Sequence, residues 1–178
     1  MSRGLGDVYK RQGNSTTTPR DLENDLDVWI VQIALAESVA ARLRKHGFKC
    51  KTVEITVRDN GLYSFSRQIH LRQPTNITNE IVTAAFQLFK DNYKWEHPIR
   101  SLGIRAADLV LDDIPVQLDL FGNQEKKEKL EKLDRTVDEI RRRFGYFSIQ
   151  RAAMYQDKVL SHLDAGTHTI HPHSYFHG

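Results

Sequence analysis

Two runs of alternating apolar and polar residues, joined by a short turn, restrict the fold of this chain more than any other feature. In the first run Val53, Ile55 and Val57 are apolar, and polar residues stand between them. The second run, interrupted by Arg67, has the apolar set Tyr63, Phe65, Ile69 and Leu71. The sequence Asp-Asn-Gly at 59–61 is typical of a tight hairpin turn. Because side chains alternate between the faces of a strand, the runs predict a hairpin with one apolar and one polar face.

Helical and extended segments flank this hairpin. Apolar residues three and four positions apart predict a helix that begins at Thr18-Pro19 and ends at Gly47, after a short strand at 15–18. Its apolar stripe consists of Leu26, Trp29, Ile33, Ala36, Val39, Ala40 and Leu43. Pro74 is predicted to end the hairpin, and 75–79 offers caps for a second helix with Ile81, Ala84, Ala85, Leu88 and Phe89. A last strand is predicted from about Ile99 to Leu109.

The predicted order β-α-β-β-α-β gives an α+β domain: a four-stranded sheet with two helices on one face. Its other face is predicted to carry small hydroxyls and a few arginines, with Glu54 as the one acid. Such side chains suit a sugar-phosphate backbone and read no base edges. The predicted DNA-contacting residues are Thr16, Thr18, Thr56, Arg58, Ser64, Ser66, Gln68, Ser101, Gly103 and Arg105. A merely solvated face is the alternative; RNA recognition is disfavoured because Tyr63 and Phe65 lie on the apolar side.

Composition adds little about partners. The net charge is +3, but residues 1–12 contribute +2 through Arg3, Lys10, Arg11 and Asp7, so overall basicity is weak evidence for nucleic acid. Hydrophobic content is 39% and charged content 28%, with no apolar run of membrane-spanning length. The single Cys50 excludes an internal disulfide and fits a reducing, cytoplasmic location.

The pentapeptide Gln117-Leu118-Asp119-Leu120-Phe121 is unusual for a surface loop. It stands between Pro115 and Gly122, within the predicted linker 112–122. A polar first residue followed by apolar anchors is typical of a linear docking peptide. The pentapeptide resembles the motif by which bacterial replication and repair proteins bind the ring-shaped sliding clamp. The alternative is a loop that packs these apolar side chains under the following helix.

The C-terminal part, residues 123–162, is predicted to form a helical hairpin. A charged helix over 123–144 has an apolar stripe of Leu130, Leu133, Val137, Ile140 and Phe144, and Ser148 is a candidate cap for a second helix. The tail 163–178 contains His168, His171, His173 and His177. Since no Cys or carboxylate has ligand spacing and Pro172 interrupts the histidines, no metal site is predicted.

Residues 13 to about 111 resemble the little-finger domain of Y-family (DinB/UmuC-type) translesion DNA polymerases. The resemblance lies in Gly-Asn-Ser-Thr-Thr-Thr at 13–18, Val-Glu-Ile-Thr-Val-Arg at 53–58 and Ile-Arg-Ser-Leu-Gly-Ile-Arg at 99–105. The clamp motif follows the last strand, where this family carries it. The resemblance implies two partners, duplex template-primer DNA and the bacterial sliding clamp, and a role in DNA repair and the SOS response.

The same resemblance implies that the catalytic carboxylates and their Mg²⁺ ions belong to a palm domain preceding this region. Phosphoryl transfer by a polymerase needs clustered carboxylates, and the sequence shows none, so no catalytic residue and no cofactor are predicted here. The alternative class is a stand-alone clamp-binding adaptor or inhibitor. A hydrolase or transferase is disfavoured because no nucleophile–base signature appears.

Residues 1–12 are predicted to be a non-native leader. The stretch Ser2 to Gln12 is similar to a translated transposon sequencing adapter fused to an incomplete gene. The expectation is therefore that the native N-terminus is missing.

Overall fold

A four-stranded antiparallel sheet, covered on one side by two helices, forms the body of the protein. The computed structural model describes residues 11–113 and 124–163. The sheet consists of β1 (Arg11–Leu22), β2 (Phe48–Asp59), β3 (Ser64–Thr75) and β4 (Ile99–Leu111), in the spatial order β1-β4-β2-β3. Helix α1 (Asp25–His46) joins β1 to β2, and helix α2 (Thr78–Asn92) joins β3 to β4. β1 and β2 are both antiparallel to β4, while β3 and β4 are both antiparallel to β2. Two βαβ units therefore interleave in one sheet, and the predicted α+β architecture is confirmed.

The predicted hairpin forms, with β2 central and β3 at the sheet edge. Val57, Ile55 and Val53 are buried opposite Phe65, Arg67 and Ile69. Being at an edge, β3 is only partly covered: its apolar Ile69 is 38% exposed, and Tyr63, just before the strand, is 61% exposed. The loop is Asn60-Gly61-Leu62, closed by a 3.0 Å hydrogen bond from Asp59 N to Tyr63 O. β3 continues through Pro74 instead of ending there, since an edge strand tolerates a residue without an N–H.

Helix α1 begins later than the sequence predicts. The structure keeps residues 18–22 in β1, where Leu22 is fully buried opposite Ile99. The cap is Asn24, whose side chain accepts a 2.9 Å hydrogen bond from Asp27 N. The predicted end is confirmed: Gly47 has φ 72°, and its N–H donates to the last carbonyls of the helix.

The C-terminal part packs on α1 as a third layer. It consists of α3 (Gln124–Phe144), two 3-10 turns (Tyr146–Ser148 and Ala152–Gln156) and the single-turn α4 (Lys158–Ser161). The predicted helical hairpin is wrong, because extended backbone at Arg151 and Asp157 interrupts the second helix. Met154 and Leu160 are fully buried and join the core around α1.

Ion pairs, not the predicted apolar stripe, hold α3 in place. Leu133 and Phe144 of that stripe are 54% and 74% exposed, whereas Asp134 is the buried residue of the helix. Asp134 lies 3.1 Å from Arg44 Nη1 of α1 and accepts a 2.7 Å hydrogen bond from Thr78 N, the first residue of α2. On the other side, Glu37 of α1 pairs with Arg141. The sheet, α2 and the C-terminal part together bury α1 on nearly all sides. Leu26 of the predicted apolar stripe is an exception, with a side chain that is 46% exposed.

No helix in the described ranges is long and apolar enough to cross a membrane.

Candidate nucleic-acid interface

The sheet face opposite the helices carries cross-strand rows of short polar side chains. Directly paired residues share a face, so the strand register identifies the rows. One row joins Ser64, Arg58, Ser101 and Thr17; the next joins Ser66, Thr56, Gly103 and Ser15; a third joins Gln68, Glu54, Arg105 and Gly13. We call this surface the open face. Eight of the ten predicted DNA-contacting residues lie on it.

Thr16 and Thr18 do not lie on the open face, and that part of the prediction is wrong. Thr16 pairs with Leu102, which points into the core, so both threonines face the helical layer and are 3% and 1% exposed. Thr18 Oγ1 donates to the carbonyl of Arg100 at 3.0 Å. Their neighbours Ser15 and Thr17 take the outward positions instead.

Gly103 lies at the centre of the open face, where the neighbouring strands leave little room for a side chain. A Cβ at this position would lie 3.1 Å from Cβ of Ser15 and 3.5 Å from Cβ of Thr56. Gly103 is itself buried, and hydroxyl side chains flank it on both sides. Arg58 and Arg105 belong to the two rows on either side of the Gly103 row.

Charge on the open face is unevenly arranged. Arg58 is exposed and makes no ion pair within the described ranges, whereas Arg105 Nη1 lies 3.2 Å from Glu54 Oε1. Further along, the Thr52 hydroxyl bonds both His70 and Asp108, and His70 Nδ1 lies 3.8 Å from Asp108 Oδ2. The face is therefore most cationic at the end that carries Arg58.

The clamp-motif residues Gln117, Leu118, Asp119, Leu120 and Phe121 lie outside the described residues. The chain on either side of 114–123 is anchored by charged contacts. Asp112 lies 2.8 Å from both Lys49 Nζ and Arg135 Nη2, and Lys127 Nζ donates to Gln73 Oε1 at 2.7 Å. Burial opposes ionisation of the Asp112 carboxyl, but the hydrogen bonds and charges of Lys49 and Arg135 win and lower its pKa.

The described residues do not fit a metal centre. Within 11–113 and 124–163, no three His, Cys, Asp or Glu side chains come together. The tail histidines from His168 onward lie outside the described ranges. Residues 1–10 of the predicted leader also lie outside them, whereas Arg11 and Gln12, the last two residues of that leader, pair with β4.

Sequence reasoning missed the outward residues of β1. Residues 15–18 are all hydroxyl-bearing, so no apolar alternation shows which positions point outward. The pairing with β4 supplies that information: outward Gly103 and Ser101 lie opposite Ser15 and Thr17. The polar alternation of β2 does place Thr52 on the outward face, although it is not among the predicted DNA contacts.

Residues 9–120 match the C-terminal domain of the impB/mucB/samB family. The chain is 44% identical over 154 residues to a DNA polymerase IV of Acetivibrio thermocellus, covering 86% of this chain and 39% of that protein. It is 36% identical over 151 residues to DNA polymerase IV 2 of Bacillus subtilis, covering 83% and 35%. A solved complex of a beta-clamp processivity factor with the little finger domain of PolIV contains a chain with TM-score 0.48 and 14% identity, matched over 63% of this chain and 99% of that one.

The domain is an antiparallel α+β sheet whose face opposite the helices is lined mostly by hydroxyl side chains. The family match covers more than half of the sequence, so the chain belongs to the impB/mucB/samB family and contains its C-terminal domain. It spans about two fifths of the length of the curated relatives it matches.

Proposed function

We propose that this chain is the DNA-gripping and clamp-tethering part of a Y-family translesion DNA polymerase. The open face carries the proposal: three rows of small polar residues, with Arg58 and Arg105 in the rows on either side of Gly103. Hydroxyls and arginines bind phosphate oxygens. Among the side chains of these rows, Gln68 and the two arginines have the geometry to read a base edge through two bonds, and most of the others are short hydroxyls. The expected partner is duplex template-primer DNA, bound without sequence preference.

The catalytic step would belong to the rest of the parent protein. The relatives named DNA polymerase IV are about two and a half times as long as the stretch they share with this chain. In the parent, carboxylates elsewhere would hold Mg²⁺, while this part binds the product duplex. Translesion synthesis, binding of damaged DNA, the SOS response and a cytoplasmic location belong to the same proposal.

Salt dependence of DNA binding tests the open face. Each arginine that neutralises a phosphate contributes about 0.9 to the slope of log affinity against log salt concentration. Arg58→Gln and Arg105→Gln in the full chain should each reduce that slope by about one unit. Arg142→Gln, which makes the same charge change on α3 beyond the helical layer, should leave the slope unchanged. An affinity that does not depend on salt, or three variants with equal slopes, would refute the proposal.

The second part of the proposal concerns the sliding clamp. The pentapeptide 117–121 combines Gln117 with three apolar anchors, and docking peptides of this kind reach affinities on the order of micromolar. The relative solved with a beta-clamp processivity factor supplies a candidate partner of the same kind.

A titration of the full chain against purified bacterial sliding clamp tests this part. Leu120→Ala/Phe121→Ala should abolish binding. Leu133→Ala/Phe144→Ala is the matched control, because it removes the same two residue types from exposed positions on α3. Binding that survives the first double substitution, or that the control abolishes as well, would exclude the pentapeptide as the docking site.

A further inference from the structure

Leu62, at the tip of the β2–β3 hairpin, combines two unfavourable features. Its φ is 71°, in the left-handed region that disfavours side chains with a Cβ, and its side chain is 71% exposed. Gly61, which would adopt such a φ without strain, stands one position earlier. Three-residue hairpin loops commonly place their last residue in this region, but glycine normally takes that position, so a leucine here adds strain and exposes an apolar side chain. Residues held in such strained conformations are concentrated at functional sites.

Several hydrogen bonds hold the hairpin tip in this conformation. Asp59 accepts from Leu62 N through its carbonyl at 3.4 Å and from Tyr63 N through its carboxylate at 3.0 Å. Asn60 N donates to Pro98 O at 2.9 Å, and the Asn60 amide donates to Asp21 at 3.1 Å. Leu62 is thus presented to solvent on a rigid support.

A cleft of about 520 Å³ lies beside Leu62 and continues the open face. Its lining includes Arg58, Ser101 and Thr17, three members of the first row of that face, together with Arg100. Arg100 is half-exposed and held by Asp21 at 3.3 Å, while the Asp59 carboxylate is buried in its own turn. A strand of DNA lying along the open face would reach this cleft past Arg58.

We propose that Leu62 is an apolar DNA contact. Its side chain packs against deoxyribose and base edges in the groove next to the DNA strand that the open face binds. Arg58 and Arg100 bind the flanking phosphates of that DNA. Apolar side chains enter DNA grooves in this way in proteins whose other contacts are to phosphates. The inference rests on the proposed function, because the open face must first place DNA beside the cleft.

The test is Leu62→Asn in the full chain, measured by DNA-binding anisotropy across a salt series and by thermal unfolding. Asn tolerates a positive φ, so the unfolding temperature should stay the same or rise. The affinity for duplex DNA should fall about ten-fold, as expected from losing part of one leucine's burial, with an unchanged salt slope. Leu26→Asn is the matched control: its leucine is 46% exposed on α1, and the substitution should leave DNA binding unchanged.

The outcomes separate this inference from the proposed function. If Arg58→Gln flattens the salt slope but Leu62→Asn binds like the parent chain, the leucine contact is refuted and the open-face proposal stands. If neither variant changes binding, both are refuted. A more stable Leu62→Asn protein that binds DNA more weakly would support the contact, because a folding defect cannot produce that combination.

Discussion

Arg44 joins three parts of the protein through one side chain. Its guanidinium donates to the Asn76 carbonyl ahead of α2 at 2.7 Å, to Asp134 at 3.1 Å and to Asp138 at 2.6 and 2.9 Å. The side chain is only 4% exposed, so these bonds replace those that water would make. Because both partner carboxylates belong to α3, this residue links α3 to α1, together with the Glu37–Arg141 pair.

Arg44→Met is therefore expected to destabilise the protein strongly. It leaves Asp134 buried with weakened pairing, and removing one partner of a buried ion pair typically costs about 3–5 kcal/mol. Urea unfolding followed by circular dichroism measures the loss. The double variant Arg44→Met/Asp134→Leu should recover part of the stability, since the buried Asp134 charge is removed and the Asp138 carboxylate that remains is partly exposed to water. A loss below about 1 kcal/mol for Arg44→Met would show that the pair contributes no more than an exposed one.

At the scale of elements, the C-terminal layer is fixed at a second place, where β1, α1 and α4 meet. Arg20 of β1 lies 2.8 Å from Asp27 of α1 and 2.7 Å from Asp157, the cap of α4. The hydrogen bond from Arg20 is the main cause that lowers the pKa of Asp157, and the N–H groups of α4 add to it. This contact thus couples the position of α4 to protonation.

The lowered pKa gives a pH prediction. A carboxyl whose folded pKa lies below its unfolded value stabilises the fold above the unfolded pKa, near 3.9, and loses that effect as pH falls through the folded pKa. Asp157→Asn keeps a helix cap but loses the charge, so it should be less stable than the parent at pH 7, and the difference should shrink as the pH falls below about 3.9 and through the lowered folded pKa. Thermal unfolding across this pH range measures the difference. In an Arg20→Gln background the pH-dependent difference should shrink, and an undiminished one would assign the effect to the cap.

The elements of the sheet could be predicted from sequence because their signal is local. Val53, Ile55 and Val57 alternate with polar residues, and Gly47 ends α1, whatever the rest of the chain does. The face of β1 and the packing of α3 could not be predicted, because each depends on a distant partner: Leu102 opposite Thr16, and Arg44 against Asp134. The apolar residues of α3 suggested a stripe, but a buried ion pair decided which side of the helix packs.

At the scale of the whole molecule, the three layers have different positions and surfaces. The sheet leaves its polar face open, while α1 is covered by the sheet on one side and the C-terminal layer on the other. Met154 is fully buried in the cluster that contains Leu35 and Val39 of α1. A core shared across the layers implies that residues 124–163 fold together with the sheet.

Met154→Ala tests whether the C-terminal layer and the sheet unfold together. Truncating a buried methionine typically costs about 2–5 kcal/mol, and in a shared core that loss should appear throughout the protein. Native-state hydrogen exchange of the full chain should show equal reductions in protection for the slowest amides of β2, β4 and α1, because these open only on global unfolding. The neighbouring Tyr155→Ala is the control: its side chain is 62% exposed, and the change should stay within about 0.5 kcal/mol. Reduced protection confined to 146–163 would instead mean that the C-terminal layer detaches on its own, leaving the sheet folded without it.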